Sequence, residues 1–214
     1  MKRKAEKTGS PKREAQTPRG GPPKPNRLRI IGGVWRGRTI EAPLGDAIRP
    51  TSDRVRESLF NRLMHGAAGS GFVLRDARVA DVFAGTGAMG LEALSRGAAH
   101  VTFIERDTAA LALLRRNVAT VGAEDRISIT SADATVLPRA AVAHDLALLD
   151  PPYGQGLAEP AMASLSRQGW LAPGALASLE MAAGDAVPEV AGFKLLDRRD
   201  AGRIAIVLYQ HLGA

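Results

Sequence analysis

From Ala77 onward, short apolar runs alternate with stretches of helical period, and this pattern leaves few folds open. Strands that alternate with helices need crossover connections, so the pattern predicts βαβ units and a mostly parallel sheet. The apolar runs place strands at Val79–Phe83, Val101–Glu105, Ile127–Thr130, Leu146–Leu149 and Ala177–Met181. Helices are expected at Met89–Ser95, Ala109–Val121 and about Glu159–Ser166, the second presenting Leu111, Leu114, Val118 and Val121 on one face. Near the end, Phe193–Asp197 and Ile204–Tyr209 flank the polar segment Arg198–Arg203, which predicts a closing antiparallel pair. A chain of 214 residues suits one well-buried α/β domain with extensions. The expected fold class is therefore α/β and Rossmann-like, with an antiparallel C-terminal strand pair and an N-terminal β-hairpin.

The region before Ala77 reads differently. Residues 1–29 carry ten Lys/Arg against two Glu, a net of +8, while the remaining residues carry nineteen against twenty, a net of −1. The segment from residue 1 to 26 is rich in Pro, Gly and Lys with almost nothing to bury, and is expected to be a disordered basic tail. Such a charge run suits a polyanionic partner, because Lys and Arg release condensed counterions on binding nucleic acid. Residues 27–48 are expected to form a hairpin, with Leu28, Ile30, Ile31, Val34 and Trp35 before Arg36-Gly37 and Thr39-Ile40 after it. Its tip would present Trp35, Arg36 and Arg38 as a stacking and phosphate-contacting group, or simply hold a half-buried Trp. Residues 49–214 form the expected main domain. It opens with Arg49-Pro-Thr51-Ser-Asp53, where Thr51 or Ser52 can cap a helix that buries Val55, Leu59 and Leu63 and leaves Arg54, Arg56 and Arg62 wet.

Several function classes are excluded or disfavoured by composition. There are no cysteines, so no disulfide, thiolate nucleophile or cysteine-held metal is available. No apolar run of bilayer length and no secretory signal core is present, which predicts a cytoplasmic protein with no membrane partner. A monomer without a metal is the expectation.

The chemistry begins at Asp81-Val-Phe83-Ala-Gly85-Thr-Gly87-Ala-Met-Gly90, a glycine loop between a strand and a helix. Such a loop permits a tight turn and close backbone approach, and the helix start offers N–H groups to an anion. The pattern suits a nucleotide-like cofactor and by itself serves a dinucleotide equally well. Glu105 ends the second strand, where a carboxylate can accept from both ribose hydroxyls, and Asp133 follows the third strand, where it would suit an adenine amino group. The full cofactor set expected is Asp81, Phe83, Gly85, Gly87, Glu105, Arg106, Asp133 and Ala134.

The more specific signal is Asp150-Pro151-Pro152-Tyr153 after the apolar fourth strand. The prolines fix the backbone and lack N–H groups, so a neighbouring carbonyl can face a ligand. Tyr153 would stack on a flat base, while Asp150 and the Pro151 carbonyl accept from its amino group. A guanine edge offers N1–H and N2–H together, which one carboxylate can accept as a pair, so Asp at this position leans toward guanine over adenine.

With these segments in view, the chain from about Arg27 to its end resembles the bacterial 16S ribosomal RNA guanine-N2 methyltransferases of the small-subunit methyltransferase D type. The resemblance rests on Arg29-Ile-Ile-Gly-Gly33, Arg49-Pro-Thr-Ser-Asp-Arg-Val-Arg-Glu-Ser-Leu-Phe-Asn61, Asp81-Val-Phe-Ala-Gly-Thr-Gly87 and Asp150-Pro-Pro-Tyr153. It implies a class I methyltransferase fold, S-adenosylmethionine as donor, and methylation of a guanine in 16S ribosomal RNA or a small-subunit assembly particle. Arg36, Arg38, Arg49, Thr51, Arg54 and Arg56, with Trp35, are the expected RNA contacts. The alternatives are an adenine-N6 methyltransferase, an NAD-dependent oxidoreductase using the same glycine loop, and a non-catalytic RNA-binding assembly factor.

Overall fold

A computed structural model describes residues 26–43, 53–65 and 69–213 of the chain. Two strands, β1 (Asn26–Arg29) and β2 (Thr39–Ala42), pair antiparallel as the expected hairpin. The main sheet contains β3 (Arg78–Val82), β4 (His100–Glu105), β5 (Ile127–Ser131), β6 (His144–Leu149), β7 (Leu171–Ala182), β8 (Phe193–Ala201) and β9 (Ile204–His211). The helices are α1 (Asp53–Met64), α2 (Ala88–Ser95), α3 (Thr108–Val121) and α4 (Ala158–Arg167). Among the described residues, no helix is long and apolar enough to cross a membrane.

The sheet runs β5-β4-β3-β6-β7-β9-β8, with β3 to β7 mutually parallel and β9 antiparallel to both its neighbours. The chain starts in the middle with β3, builds outward through β4 and β5, then returns to add β6 on the other side. That reversal opens a crevice between β3 and β6 at the carboxyl ends of the strands, the place where open α/β sheets hold ligands. Both faces of the sheet are covered. One packs against α1, α2, α3 and the hairpin through residues such as Leu59, Leu91, Leu114, Ile30 and Val79. The other packs against α4 through Met162, Leu165, Ala147 and Val207.

Local chemistry explains the boundaries. In α3, the Asp107 carboxylate accepts from the Ala110 N–H at 2.7 Å and Gly122 ends the helix at φ 67°. These are the N-cap and left-handed C-cap that satisfy otherwise orphaned backbone groups. β7 begins earlier than its apolar core suggests, because Pro173-Gly174 lies within the strand at an irregularity. There the pairing jumps from His144↔Leu171 to Leu146↔Leu176. β8 likewise runs on through Arg198–Ala201, which the sequence assigns to a polar loop, and only Gly202 and Arg203 form the turn. As the edge strand it faces water, and charged side chains are the usual composition of such an edge.

The hairpin is strapped to the main domain by a buried acid. Glu92 on α2 is fully buried and its carboxylate accepts from the N–H groups of Ile31 and Gly32 at 2.7 and 2.8 Å and from Arg96 at 2.6 Å. The Trp35 N–H donates to Ser95 Oγ at 2.9 Å. Farther along, Asn117 on α3 bonds both main-chain groups of Glu41 and also donates to the Thr86 carbonyl at 2.9 Å. The hairpin tip therefore lies by the ends of α2 and α3, and its open end lies toward the glycine loop.

Three expected surface residues are corrected. Trp35 is buried, with the Arg126 guanidinium 5.0 Å over its ring, so it cannot present a face to a base. Arg56 is 1 % exposed, donating to the Arg29 carbonyl and to Asp53 at 2.9 and 2.7 Å. It stands on the same face of α1 as Leu59 and Phe60, and that turn of helix is covered by the end of β1. Arg62 pairs with Asp197 of β8 instead of standing free in water. Arg36, Arg38 and Arg54 are exposed, whereas Arg49, Thr51 and Ser52 lie outside the described residues.

Candidate active site

The glycine loop starts with a strained residue. Phe83 follows β3 at φ 60°, a conformation that a bulky side chain adopts only when its surroundings impose it. Gly85 continues at φ 52° and Gly87 at φ 78° leads into α2. The glycines are required for different reasons. A Cβ at Gly87 would stand 2.3 Å from Leu114 Cδ1, and one at Gly90 would stand 2.4 Å from Phe103 Cε1, so both let α2 settle on β4 and α3. A Cβ at Gly85 would meet nothing closer than 3.9 Å, so its surface is open to an approaching ligand.

Two carboxylates hold this loop from below. Asp81, 3 % exposed, accepts from the Gly90 N–H at 2.8 Å. Burial raises its pKa to about 8, the Gly90 bond opposes this, and the charges of Asp150 and Glu105 add to the rise. Asp81 is thus a loop-fixing residue buried at the inner wall of the crevice. Glu105 accepts from the Gly85 N–H through Oε2 at 2.9 Å and from the Arg106 and Asp107 N–H groups through Oε1, both at 2.8 Å. Three backbone donors set its orientation, two on Oε1 and one on Oε2, which leaves Oε2 one acceptor position for a ligand hydroxyl. Asp133 caps the 3-10 turn Ala134–Val136: its Oδ1 accepts from Thr135 N and Oγ1, and its Oδ2 from Arg106 at 2.6 Å. The Thr135 bonds, with Arg106 adding to them, hold its pKa below the usual carboxylate range. Arg106 therefore ties the end of β4 to the turn after β5, and Ala134 is buried beside it.

On the other side of the switch, β6 ends at Leu149 and Asp150 donates its N–H weakly to the Val82 carbonyl at 3.4 Å. Pro151 is buried, while Pro152 and Tyr153 are exposed. The Tyr153 hydroxyl donates to Glu180 Oε1 at 2.7 Å. Burial together with that carboxylate raises the phenol's pKa far above its ordinary value, so the hydroxyl keeps its proton. Asp150 is open to solvent at the mouth of the crevice and crowded by protein elsewhere. That crowding, followed by the charge of Glu180, raises its pKa to about 7. Behind it the crevice is lined by Leu59, Asp81, Met89, Leu148, Ser178 and Glu180.

The structure thus brings Asp81, Phe83, Gly85, Gly87, Glu105 and Asp150–Tyr153 to the carboxyl ends of β3, β4 and β6. Asp133 and Ala134 stand at the adjacent end of β5. Arg36 and Arg38 are not with them: Arg38 reaches the Val121 carbonyl, at the far end of α3. Glu180 is a site residue that the motifs do not single out. Its only signal in the sequence is a single acid inside the apolar run Leu176–Met181.

The arrangement can hold a nucleoside-bearing cofactor over Gly85 and Glu105 and a flat amine-bearing base at Asp150 and Tyr153. Residues 28–210 match the family described as Conserved hypothetical protein 95. Ribosomal RNA small subunit methyltransferase D of Escherichia coli K12 is 42 % identical over 184 residues, covering 86 % of this chain and 89 % of that protein. The protein of the same name from Haemophilus influenzae is 35 % identical, covering 86 % and 94 %. Among solved structures, that of the Escherichia coli protein yhhF superposes with a TM-score of 0.75 at 38 % identity, covering 88 % of this chain and all of that one. A Thermus thermophilus 16S rRNA N2 G1207 methyltransferase, solved with AdoMet and guanosine, shares the fold alone at 18 % identity, with a TM-score of 0.61 over 88 % of this chain and 50 % of its own. By these matches the chain belongs to the ribosomal RNA small-subunit methyltransferase D family.

Proposed function

We propose that this protein methylates the exocyclic N2 amino group of a guanine in 16S ribosomal RNA, within the cytoplasm, using S-adenosylmethionine. The observation that carries the reading is the placement of Asp150-Pro-Pro-Tyr153 across the β3/β6 switch from the glycine loop and Glu105. The residues suit that cofactor: Gly85 leaves open space, and Glu105 is pre-oriented by three N–H groups with one acceptor position of Oε2 left for a ribose hydroxyl. Bound there, S-adenosylmethionine supplies an electrophilic methyl group on a positively charged sulfur that leaves as a thioether.

The chain's own residues do the positioning. Asp150 accepts from guanine N1–H and N2–H and turns the N2 lone pair toward the methyl group, while the Pro151 carbonyl takes a further amine hydrogen. Tyr153 supports the face of the base, which must leave its stack in the RNA to reach the crevice. As the N–C bond forms, the nitrogen has one proton too many, and Asp150, whose proton affinity is raised, is the acceptor within reach. RNA contact is supported by the net +8 of residues 1–29 and by exposed Arg36, Arg38 and Arg54.

Asp150→Ala is expected to keep S-adenosylmethionine affinity in calorimetry and to reduce methyl transfer to small-subunit RNA by about a hundredfold or more, the usual cost of deleting a preorganised polar group. Turnover close to that of the unaltered protein would remove Asp150 from the reaction.

A further inference from the structure

The turn that carries Tyr153 is tethered from a neighbouring strand. β6 and β7 pair through Leu148↔Ser178 and Leu149↔Leu179, so Glu180 stands beside Asp150 one residue farther along. Glu180 is 5 % exposed, and a carboxylate withdrawn from water that far needs donors to compensate it. One of them is the Tyr153 hydroxyl at 2.7 Å. Tyr153 itself is 48 % exposed and is followed by Gly154 at φ 71° and Gly156 at φ 64°. A half-exposed ring beside two left-handed glycines has little packing to fix its plane, whereas the strand that offers the acceptor is rigid.

We infer that Glu180 is a positioning residue: by accepting the Tyr153 hydroxyl it sets the plane of that ring at the crevice mouth, so the target base meets a stacking surface already in place beside Asp150. The inference rests on the reading of Asp150–Tyr153 as the turn that holds the base. Preorganisation of this kind lowers the cost of binding RNA in the reactive pose, because the ring need not be ordered at the moment of encounter. The same carboxylate adds negative charge next to Asp150, which makes the two roles of Glu180, acceptor and charge, separable by substitution.

The test is steady-state methyl transfer to small-subunit RNA across pH, with S-adenosylmethionine affinity and thermal unfolding measured on each variant. Tyr153→Phe keeps the ring and removes the tether, and is expected to raise KM for RNA about tenfold with a smaller change in kcat. Glu180→Gln retains an acceptor oxygen, so KM should stay within about threefold while the acidic limb of the pH profile moves to lower pH as the neighbouring charge disappears. Glu180→Ala should raise KM as Tyr153→Phe does, and the double variant should be no worse than Glu180→Ala alone. S-adenosylmethionine affinity should hold in all of them. Should Glu180→Ala fail to fold, Tyr153→Phe and Glu180→Gln still decide. An unchanged KM in Tyr153→Phe, or an equal rise in KM in Glu180→Gln, would overturn the tether. Full activity in Tyr153→Ala would instead sink the base-holding reading itself.

Discussion

Asp81 shows how a single buried side chain can serve the site by fixing its loop. It sits under the glycine loop, bonds the Gly90 N–H, and has its pKa raised to about 8 by burial and by Asp150 and Glu105. A carboxyl group whose pKa rises on folding holds a proton that the unfolded chain has already released. The contribution of Asp81 to stability therefore falls as pH rises from about 4 to about 8, and is fully present only below that window. Asp81→Asn keeps an oxygen for Gly90 and removes the charge. The unfolding temperature of the variant should decline less than that of the unaltered protein between about pH 5 and pH 8. Parallel declines would mean that Asp81 is not the titrating group. Asp81, Glu105 and Asp150 are all readable from their places at strand ends, but their geometry is not. That Asp81 bonds the Gly90 N–H and Asp133 spends both oxygens on Thr135 and Arg106 depends on side-chain directions that spacing does not encode.

At the level of elements, the parallel strands and their helices follow from the sequence because their apolar periods are clear, and in α3 the caps Asp107 and Gly122 mark both ends. Where pattern and structure diverge, tertiary context prevails. Pro173-Gly174 reads as a turn but lies inside β7, and Arg198–Asp200 reads as a loop but forms the wet edge strand. Trp35 and Arg56 look like surface groups until the hairpin is laid on α1 and α2. That docking is tight. A Cβ at Gly33, where φ is 75°, would stand 1.7 Å from the Ser95 carbonyl oxygen, and backbone cannot yield as a side chain can. Gly33→Ala is expected to destabilise the fold by about 2–4 kcal/mol through strain and clash combined. Gly37→Ala, at φ 86° with nothing within 4 Å, should cost only the left-handed conformation, about 1 kcal/mol. Equal effects in chemical denaturation would show that the hairpin is not seated on α2.

On the scale of the whole molecule, one sheet reversal gathers every group of the proposed reaction at the carboxyl edge of the strands. Apart from residues 1–29, the chain is nearly neutral, and Asn26, where β1 begins, pairs with Ala42 at the hairpin end nearer the glycine loop. Deleting residues 1–25 is expected to weaken binding to all RNAs alike and to flatten its dependence on salt by roughly 0.7 log-log units for every phosphate that the segment neutralises. The methylated nucleotide should not change. Identical salt dependence with and without the segment would confine RNA binding to groups such as Arg36, Arg38 and Arg54.

The identity of the product tests the central claim most directly. Small-subunit RNA or assembly particles incubated with the protein and labelled S-adenosylmethionine, then digested to nucleosides, should yield label in N2-methylguanosine, with Asp150→Ala yielding almost none. Label in N6-methyladenosine, or no transfer by the unaltered protein to either substrate, would contradict the account.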